Sequence, residues 1–420
     1  MFWYHELTNH SYRSIRSESH TLEWEKQPVP FKIYPYPLKT VKLTQKHPLH
    51  RFIYRIGGIS AKKVYPGVTY YLRTVPSAGA LYPTEIYFQS RGVEDLEDGI
   101  WHFDIQNGAL RLLHAIGETE GIEAEFEDNR KIEGFLFLFS TVYFRSAWKY
   151  RTRAFRYCLL DTGHMLGALE ASSFLYDHAL YIRYRFDKES LNRSFGLGER
   201  EFFLSCAQVG RPREERIVDF KMRLEDINPP YERDPVIEKA YYDSLHPVDC
   251  TAQYGYDPFT YRKESFEETI MKRRSVREFG MEPISKVSFE AILENASRKI
   301  VNDCDEKVSL YYIVHRVEGM EPGLYLEGVL LKAGDFRAKS AYLCLEQPPG
   351  GEGAVTFFLT TASQNYQPAS MKAGIIGHRI YLAGGYLHIN CSGIGAYYDD
   401  EIRTFLETED MVLYALAIGA

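Results

Sequence analysis

The chain has 420 residues, which is more than one hydrophobic core usually organises and enough for two domains. Hydrophobic residues make up 45% of it and charged residues 25%, a composition that is typical of folded proteins and argues against long disorder. The formal net charge of −7 argues against binding to the phosphate backbone of nucleic acids.

Cysteine spacing and apolar runs bear on the compartment. The six cysteines are widely spaced and form no C-x-x-C pair, which predicts reduced thiols in a reducing compartment and no bound metal. The opening M-F-W-Y-H-E lacks the pattern of a signal peptide, and the longest apolar run, Gly134–Phe144, is too short to span a bilayer. The sequence therefore predicts a cytoplasmic protein.

The N-terminal half begins with an irregular segment, residues 1–50, which is rich in proline and histidine and is expected to form an arm across the other half. Apolar runs and turn residues then predict secondary structure. The predicted elements are a strand at Thr84–Gln89, a hairpin that turns at Asn107-Gly108, a buried strand at Gly134–Thr141, a helix at Arg153–Phe174 and a closing strand at Leu204–Gly210.

A linker of mixed charge follows, with a short helix predicted at Pro235–Leu245. The C-terminal half then presents a similar series. Its predicted elements are a helix carrying Phe266 and Ile270, a helix carrying Ile292 and Ala296, a hairpin that turns near Gly328, a buried strand at Val355–Thr361, a helix at Gly377–Cys391 and a closing strand at Leu413–Gly419.

The two halves are related by a weak repeat. Pairing Phe135 with Phe357 gives an offset of 222 residues (357 − 135), and the same offset pairs Gly163 with Gly385. Two copies of this length predict domain duplication rather than a solenoid. The class is expected to be α+β, with a three-layer α/β arrangement as the alternative. The predicted ranges are 1–213 for an N-terminal domain with its arm, 214–262 for the linker and 263–420 for the C-terminal domain.

The first motif, residues 73–83, reads R-T-V-P-S-A-G-A-L-Y-P. Pro76 restricts the backbone and removes a donor, whereas Ser77, Ala78 and Gly79 add little bulk. Such a segment would let a flat ligand lie against the backbone, with amide N–H groups and the Ser77 hydroxyl free to bond its edge. The alternative is a tight loop before the next strand.

The second motif, residues 273–277, reads R-R-S-V-R and lies between two predicted helices. Arginine side chains suit phosphate oxygens and the carbonyl-rich edge of a flavin ring, because the planar guanidinium donates two parallel hydrogen bonds. The alternative is a solvated basic loop.

The third motif is Lys149-Tyr150, just after the buried strand. A lysine beside a tyrosine in a partly dry cleft offers groups for proton transfer, and an ordinary surface pair is the alternative. At the repeat offset stands Met371-Lys372, so the second copy lacks the pair. Asp161 and His164, on the following helix, are interpreted as core residues.

These strings resemble those of the FMN-dependent nitroreductase superfamily. The R-R-S-V-R-E-F string resembles the superfamily in general. The R-x-x-P-S-A-G-A-L-Y-P string, and Lys149-Tyr150 followed by R-A-F-R-Y, resemble its SagB/ThcOx-type branch, which includes azoline dehydrogenases. In that superfamily two subunits pack closely around FMN. The resemblance implies tandem nitroreductase-like domains, each a mostly antiparallel sheet flanked by helices, that form an intramolecular pseudo-dimer with one FMN site.

The resemblance also implies roles for particular residues. Lys149 and Tyr150 would be catalytic. The cofactor-binding residues would be Arg273, Arg274, Ser275 and Arg277 from one half, Pro76, Ser77, Ala78 and Gly79 from the other, Gly393, Ile394 and Gly395 near the reactive edge of the flavin, and Arg156 and Tyr157 as further contacts. A second site is not expected, because each half lacks one of the two strings.

The expected activity is FMN-dependent hydride transfer, with oxidation of a peptide- or amino-acid-derived azoline to an azole. Two alternatives stay open: an NAD(P)H-dependent reductase of nitro compounds or quinones, and a degenerate, non-catalytic scaffold of a biosynthetic complex. The expected partners are a small-molecule or peptide substrate and biosynthetic proteins, with neither nucleic acid nor membrane, and the pseudo-dimer is compatible with a monomer.

Overall fold

The computed structural model of the protein describes residues 1–17, 21–65 and 68–420. Its strands are β1 (Lys39–Lys42), β2 (Ile59–Tyr65), β3 (Val68–Arg73), β4 (Thr84–Arg91), β5 (Gly99–Asp104), β6 (Ala109–Ala115), β7 (Arg130–Val142), β8 (Tyr181–Arg183), β9 (Glu201–Arg216), β10 (Ser309–Val314), β11 (Gly323–Leu326), β12 (Val329–Ala333), β13 (Val355–Thr361), β14 (Asn390–Ile394) and β15 (Met411–Gly419).

Its α-helices are α1 (Phe2–Leu7), α2 (Tyr12–Ser17), α3 (Pro48–Gly57), α4 (Phe144–Tyr150), α5 (Ala154–Leu175), α6 (Lys188–Ser194), α7 (Pro235–Asp243), α8 (Lys263–Lys272), α9 (Lys286–Ser297), α10 (Arg337–Leu343), α11 (Pro349–Glu352), α12 (Tyr366–Tyr386) and α13 (Asp399–Leu406). Within the described ranges, none of these helices has the length and apolarity needed to cross a membrane.

The larger sheet has seven strands in the order β1-β6-β5-β4-β7-β9-β8, and all neighbours are antiparallel. The continuous apolar run in β7 supplies both faces of this sheet, since successive side chains point to opposite sides. Phe135 and Phe137 pack against Phe52 of α3, whereas Leu136 and Leu138 belong to a separate buried cluster. The predicted buried strand is therefore confirmed.

The smaller sheet has six antiparallel strands in the order β12-β11-β10-β13-β15-β14. This order repeats β6-β5-β4-β7-β9-β8 strand for strand. Both sheets also contain a β-bulge at the same place, where the register skips Leu204 in β9 opposite β7 and Leu413 in β15 opposite β13. The predicted duplication, the two hairpins and the α+β class are confirmed.

The bulges correct the repeat offset for the inner strand. The register shifts at Ser140 in β7 and at Thr360 in β13, which gives an offset of 220 residues (360 − 140). The structural equivalent of Phe357 is therefore Phe137, and the predicted pairing with Phe135 is wrong by two residues.

The offset changes again at the long helices, because α5 and α12 begin 212 residues apart (366 − 154). Helix α4 and a 3-10 turn at Arg151–Arg153 separate β7 from α5, whereas residues 362–365 connect β13 to α12 directly. Gly163 lies in the middle of α5 and Gly385 near the end of α12, so pairing them is wrong. The extra helix also carries Lys149-Tyr150, which explains why the repeat lacks this pair.

The predicted bounds of the long helices differ in quality. The prediction Arg153–Phe174 agrees with α5 to within one residue. The prediction Gly377–Cys391 is wrong, because α12 already begins at Tyr366 and ends at Tyr386. Pro368 suggests a break but lies in the first turn of α12, where the missing N–H costs no intrahelical hydrogen bond.

The described residues form two compact units. One contains residues 1–23, 259–298 and 306–420 with the six-stranded sheet, and the other contains residues 24–258 and 299–305 with the seven-stranded sheet. We call them the six-strand unit and the seven-strand unit. The first residues are held within the six-strand unit, where the His10 backbone N–H donates to Asp399 at 2.8 Å. The predicted domain ranges stay a prediction.

A disulfide within the seven-strand unit joins Cys250 to Cys304. The expectation that the thiols are reduced is wrong for this pair. The two cysteines lie 54 residues apart in sequence. They meet because the backbones of Gln253 and Asn302 exchange hydrogen bonds at 2.8 and 3.1 Å, a contact that cysteine spacing alone does not reveal.

Candidate functional site

The proline–serine motif forms a tight loop between β3 and β4 of the seven-strand unit. Its backbone enters the left-handed region at Gly79 (φ 63°), Ala80 (φ 56°) and Tyr82 (φ 45°). Glycine adopts this conformation without a steric penalty, whereas the other two residues need support from their surroundings. Tyr82 has such support, because its hydroxyl accepts the Arg73 backbone N–H at 3.1 Å.

A buried carboxyl group on α5 holds the start of this loop. The Ser77 hydroxyl donates to Asp161 Oδ2 at 2.5 Å and accepts the Tyr82 backbone N–H at 2.9 Å. The Ala78 backbone N–H also points to Asp161, at 3.4 Å from Oδ1. A hydroxyl has one proton to donate. The prediction that the Ser77 hydroxyl and the Ala78 amide are free for a ligand is therefore wrong while Asp161 accepts from both.

The Lys149-Tyr150 pair lies at the end of α4, against the same loop. A methyl group placed at Gly79 would lie 2.8 Å from the Tyr150 hydroxyl and 3.4 Å from Lys149 Nζ. Glycine is thus required at position 79 for two reasons, its positive φ and the close approach of α4. The structure brings together two motifs that the sequence presents far apart.

A buried ion pair anchors α4 to this loop. Arg145 Nη1 donates to Glu85 Oε1 at 2.6 Å and to the Tyr82 carbonyl at 3.1 Å, and the Arg145 and Glu85 side chains are each 2% exposed. Burial acts to raise the pKa of Glu85, but the Arg145 charge and the contact with His102 lower that pKa to about 2. The ionised Glu85 and Arg145 therefore lock α4, the loop and β4 together.

Burial also changes the protonation of the groups nearest the loop. It raises the pKa of Asp161 to about 7, although the hydrogen bonds from Ser77 and Ala78 act in the opposite direction. Burial likewise raises the pKa of Tyr150 well above its ordinary value, with further contributions from Tyr157 and Asp161. Tyr150 is consequently a neutral phenol at physiological pH, which can donate a hydrogen bond but is not a base.

The two residues suggested as further cofactor contacts lie on the first turn of α5. The Tyr157 ring packs on the Tyr150 ring with centroids 4.5 Å apart, and its hydroxyl accepts from Arg153 Nε at 3.2 Å. Arg156 is 3% exposed. Tyr157 thus supports Tyr150 directly, through ring packing.

In the six-strand unit the R-R-S-V-R segment connects α8 to α9. Arg273 is buried, with its Cζ 5.4 Å from the centroid of the Tyr381 ring. Ser275 Oγ lies 2.7 Å from the Tyr381 hydroxyl, and Arg274 Nη1 donates to the Arg273 carbonyl at 2.5 Å. Arg277 is exposed. The alternative of a solvated basic loop is therefore wrong for Arg273.

Tyr381 of α12 joins this basic segment to the small residues in and after β14. Its hydroxyl accepts the Gly393 backbone N–H at 2.5 Å, and a methyl group at Gly393 would collide with the Tyr414 hydroxyl. Packing inside the unit thus accounts for the glycine at 393. Ile394 is buried and Gly395 is half-buried.

Sequence reasoning missed Arg145 and Tyr381 and interpreted Asp161 as a core residue. Arg145 did leave a signal, since a charged residue in the apolar stretch F-R-S-A-W must be paired when it is buried. Asp161 and Tyr381 act on residues far away in sequence, and nothing in their neighbours' periodicity marks them.

Comparison with known proteins agrees with this architecture. Residues 270–420 match the sequence model of the nitroreductase family. The fold resembles that of a candidate nitroreductase from Anabaena variabilis over 100% of this chain and 98% of that one, with 25% identity and a TM-score of 0.82. The fold is therefore nitroreductase-like along the whole chain.

Two further proteins are similar over shorter stretches. A candidate nitroreductase of Methanocaldococcus jannaschii is 32% identical over 95 residues, which span 22% of this chain and about half (48%) of that relative. A chain of the E. coli microcin synthetase McbBCD complex is 14% identical, with a TM-score of 0.32 over 48% of this chain and 81% of that one. A TM-score this low carries no argument about activity.

Proposed function

We propose that the protein is an FMN-dependent oxidoreductase that transfers hydride between a substrate carbon and the flavin. The observation that carries the proposal is the contact of Gly79 with Tyr150 and Lys149, because it joins a small-residue ligand loop to a pair of proton-transfer groups. The nitroreductase-like fold of the whole chain and the family match of residues 270–420 support it.

The residues present have the chemistry that FMN requires. Three guanidinium groups within five residues suit its phosphate and the oxygen-rich edge of its ring, and small residues let the ring approach backbone. The residues proposed to hold it are Arg273, Arg274, Ser275, Arg277, Pro76, Ser77, Ala78, Gly79, Arg156, Tyr157, Gly393, Ile394 and Gly395. When bound, FMN would supply hydride transfer at its N5 position.

The chain's own contribution to the chemistry would come from α4. Tyr150 keeps its phenolic proton, because burial raises its pKa, and so orients a substrate by donating a hydrogen bond. Lys149, whose Nζ lies 5.3 Å from the centroid of the Tyr150 ring, would take up the proton that accompanies hydride removal. Arg145 and Glu85 hold both residues in place.

The substrate we propose is a peptide- or amino-acid-derived azoline, oxidised to an azole by loss of one hydride and one proton. This choice rests on the SagB/ThcOx-type strings in the sequence. An NAD(P)H-dependent nitro or quinone reductase is the second candidate, favoured by the names of the two candidate nitroreductases that the chain resembles.

The first test is the visible absorbance of the purified full chain, with an expected flavin-to-protein ratio near one. Anaerobic addition of a thiazoline peptide should then bleach the flavin, with no further electron acceptor needed for a single turnover. Bleaching by NAD(P)H followed by reoxidation with a nitroarene would instead select the second candidate. Protein that cannot be reconstituted with FMN would refute both.

The role of Lys149 is tested by its replacement. Lys149→Ala should retain flavin and lose bleaching by substrate, because the proton acceptor is gone while the cofactor contacts remain. Lys221→Ala is the matched control, since the Lys221 side chain is 71% exposed and pairs with Asp219 at the surface. Equal bleaching rates in both variants would remove Lys149 from the mechanism.

A further inference from the structure

Asp161 meets the ligand loop at two successive residues. Its Oδ2 accepts the Ser77 hydroxyl at 2.5 Å, and its Oδ1 lies 3.4 Å from the Ala78 backbone nitrogen. The Asp161 residue is 6% exposed, so little water is available to replace these bonds. The state of this one carboxyl group therefore decides which donors the loop can offer to a ligand.

We propose that Asp161 is a positioning residue for the cofactor, whose carboxyl group decides whether the Ser77 hydroxyl can donate a hydrogen bond to bound flavin. The proposal rests on the proposed function, in which Ser77 contacts FMN. The ionised carboxylate only accepts, so it takes the single Ser77 proton. The neutral acid, protonated from solvent, can itself donate to Ser77 Oγ, which leaves the Ser77 proton available to the ligand.

The surroundings of Asp161 place this change near neutral pH. Burial raises the pKa of Asp161 to about 7. The titratable and charged groups that face it are Arg73 from β3, Tyr150 from α4 and Cys158 from its own helix. Burial lowers the pKa of Arg73 to about 10, raises that of Cys158 to about 12 and raises that of Tyr150 as well. None of these three changes charge between about pH 6 and pH 8.

The experiment measures the Kd of FMN for the full chain, freed of flavin, between about pH 6 and pH 8. Flavin fluorescence quenching gives the Kd. We expect the Kd of the wild type to rise roughly 3- to 10-fold across this range relative to Asp161→Asn, which corresponds to one lost hydrogen bond. The asparagine amide can donate to Ser77 at every pH. The ratio of the two Kd values cancels the titration of the FMN phosphate.

Two further variants complete the test. Ser77→Ala lacks the hydroxyl, so its Kd should be weaker than that of the wild type at acidic pH and equal to it at alkaline pH; this holds even if Asp161→Asn does not fold. Asp219→Asn, at an exposed carboxylate, should follow the wild type at every pH. Kd ratios of the wild type to both loop variants that do not change with pH would overturn this proposal alone. No FMN binding at any pH would overturn the proposed function and this proposal with it.

Discussion

Gly79 leaves the space into which the hydroxyl of Tyr150 fits, and a methyl group at residue 79 would approach that hydroxyl to 2.8 Å. Tyr150 ends α4, a helix inserted between β7 and α5 in the seven-strand unit, whereas residues 362–365 alone occupy the equivalent connection of the six-strand unit. One insertion thus makes the two copies of the fold chemically different.

Replacing Gly79 by alanine should disturb Tyr150 as well as the backbone. A left-handed conformation costs a non-glycine residue about 1–2 kcal/mol, and the new methyl group would push Tyr150 away from the loop. Gly92→Ala is a matched control, because Gly92 has nearly the same φ (62° against 63°) but open space, with the nearest atom at 4.0 Å.

Urea unfolding and flavin bleaching by substrate measure the two effects separately. Both variants should lose similar stability, and the alanine at position 79 should in addition reduce the bleaching rate by at least about tenfold, or roughly 1.4 kcal/mol of barrier. Equal bleaching rates in the two variants would mean that the position of Tyr150 does not matter.

Arg145→Met should be strongly destabilising. It leaves the Glu85 carboxylate buried without its cation, and removal of one partner of a buried ion pair typically costs about 3–5 kcal/mol. The double variant Arg145→Met/Glu85→Gln removes the uncompensated charge and should recover part of that loss in urea unfolding at neutral pH. A double variant that is less stable than Arg145→Met would contradict the pairing.

Asp161 should make stability depend on pH with a defined sign. Burial raises its pKa from 3.8 to about 7, so folding favours the neutral acid. The stabilisation is fully present below the unfolded pKa and is lost as the pH rises through about 7. Relative to Asp161→Asn, the wild type should lose on the order of 3–4 kcal/mol of unfolding free energy over this window.

Chemical unfolding at a series of pH values measures this difference without any cofactor. The control is Asp219→Asn, whose curve should run parallel to that of the wild type, because the carboxylate at 219 is exposed. Parallel curves for Asp161→Asn as well would show that Asp161 does not titrate in the folded protein near neutral pH.

Arg274→Ala and Ser77→Tyr should both lower the flavin content of the purified chain. The first removes a proposed cation for the flavin, and the second fills the small-residue loop. Lys272→Ala is the control for the basic segment, since the Lys272 side chain is 74% exposed and pairs with Glu268 within its own helix. Loss of flavin in only one of the two variants would refute a shared cofactor.

The Cys250–Cys304 disulfide should be detectable by thiol counting. Without reductant, the denatured chain should expose four thiols, those of Cys158, Cys206, Cys344 and Cys391. A pair of serines at positions 250 and 304 should cost about 2–4 kcal/mol, because the bridge closes a long loop. Reductant should lower the stability of the wild type towards that of the double serine variant, and six thiols in the unreduced chain would disprove the bridge.

Most of the architecture could be predicted from the sequence. The runs at Gly134–Thr141 and Val355–Thr361 and the two hairpins signal strands through local composition, and the fold repeats them in the same order. The register could not be predicted, because a repeat offset assumes equal loop lengths. The insertion of α4 moves α5 relative to α12, and only the bulges at Leu204 and Leu413 reveal the true alignment.

The sequence by itself determined the duplicated α+β sheets, the basic segment after α8 and the small-residue loop after β3, because helix and strand periods and turn residues act over a few neighbours. Only the tertiary structure decided that Asp161 occupies the Ser77 hydroxyl, that Arg145 ties α4 to Tyr82 and that Cys250 meets Cys304. These contacts join positions distant along the chain, and their energies depend on burial and on donor–acceptor geometry, which local patterns do not encode.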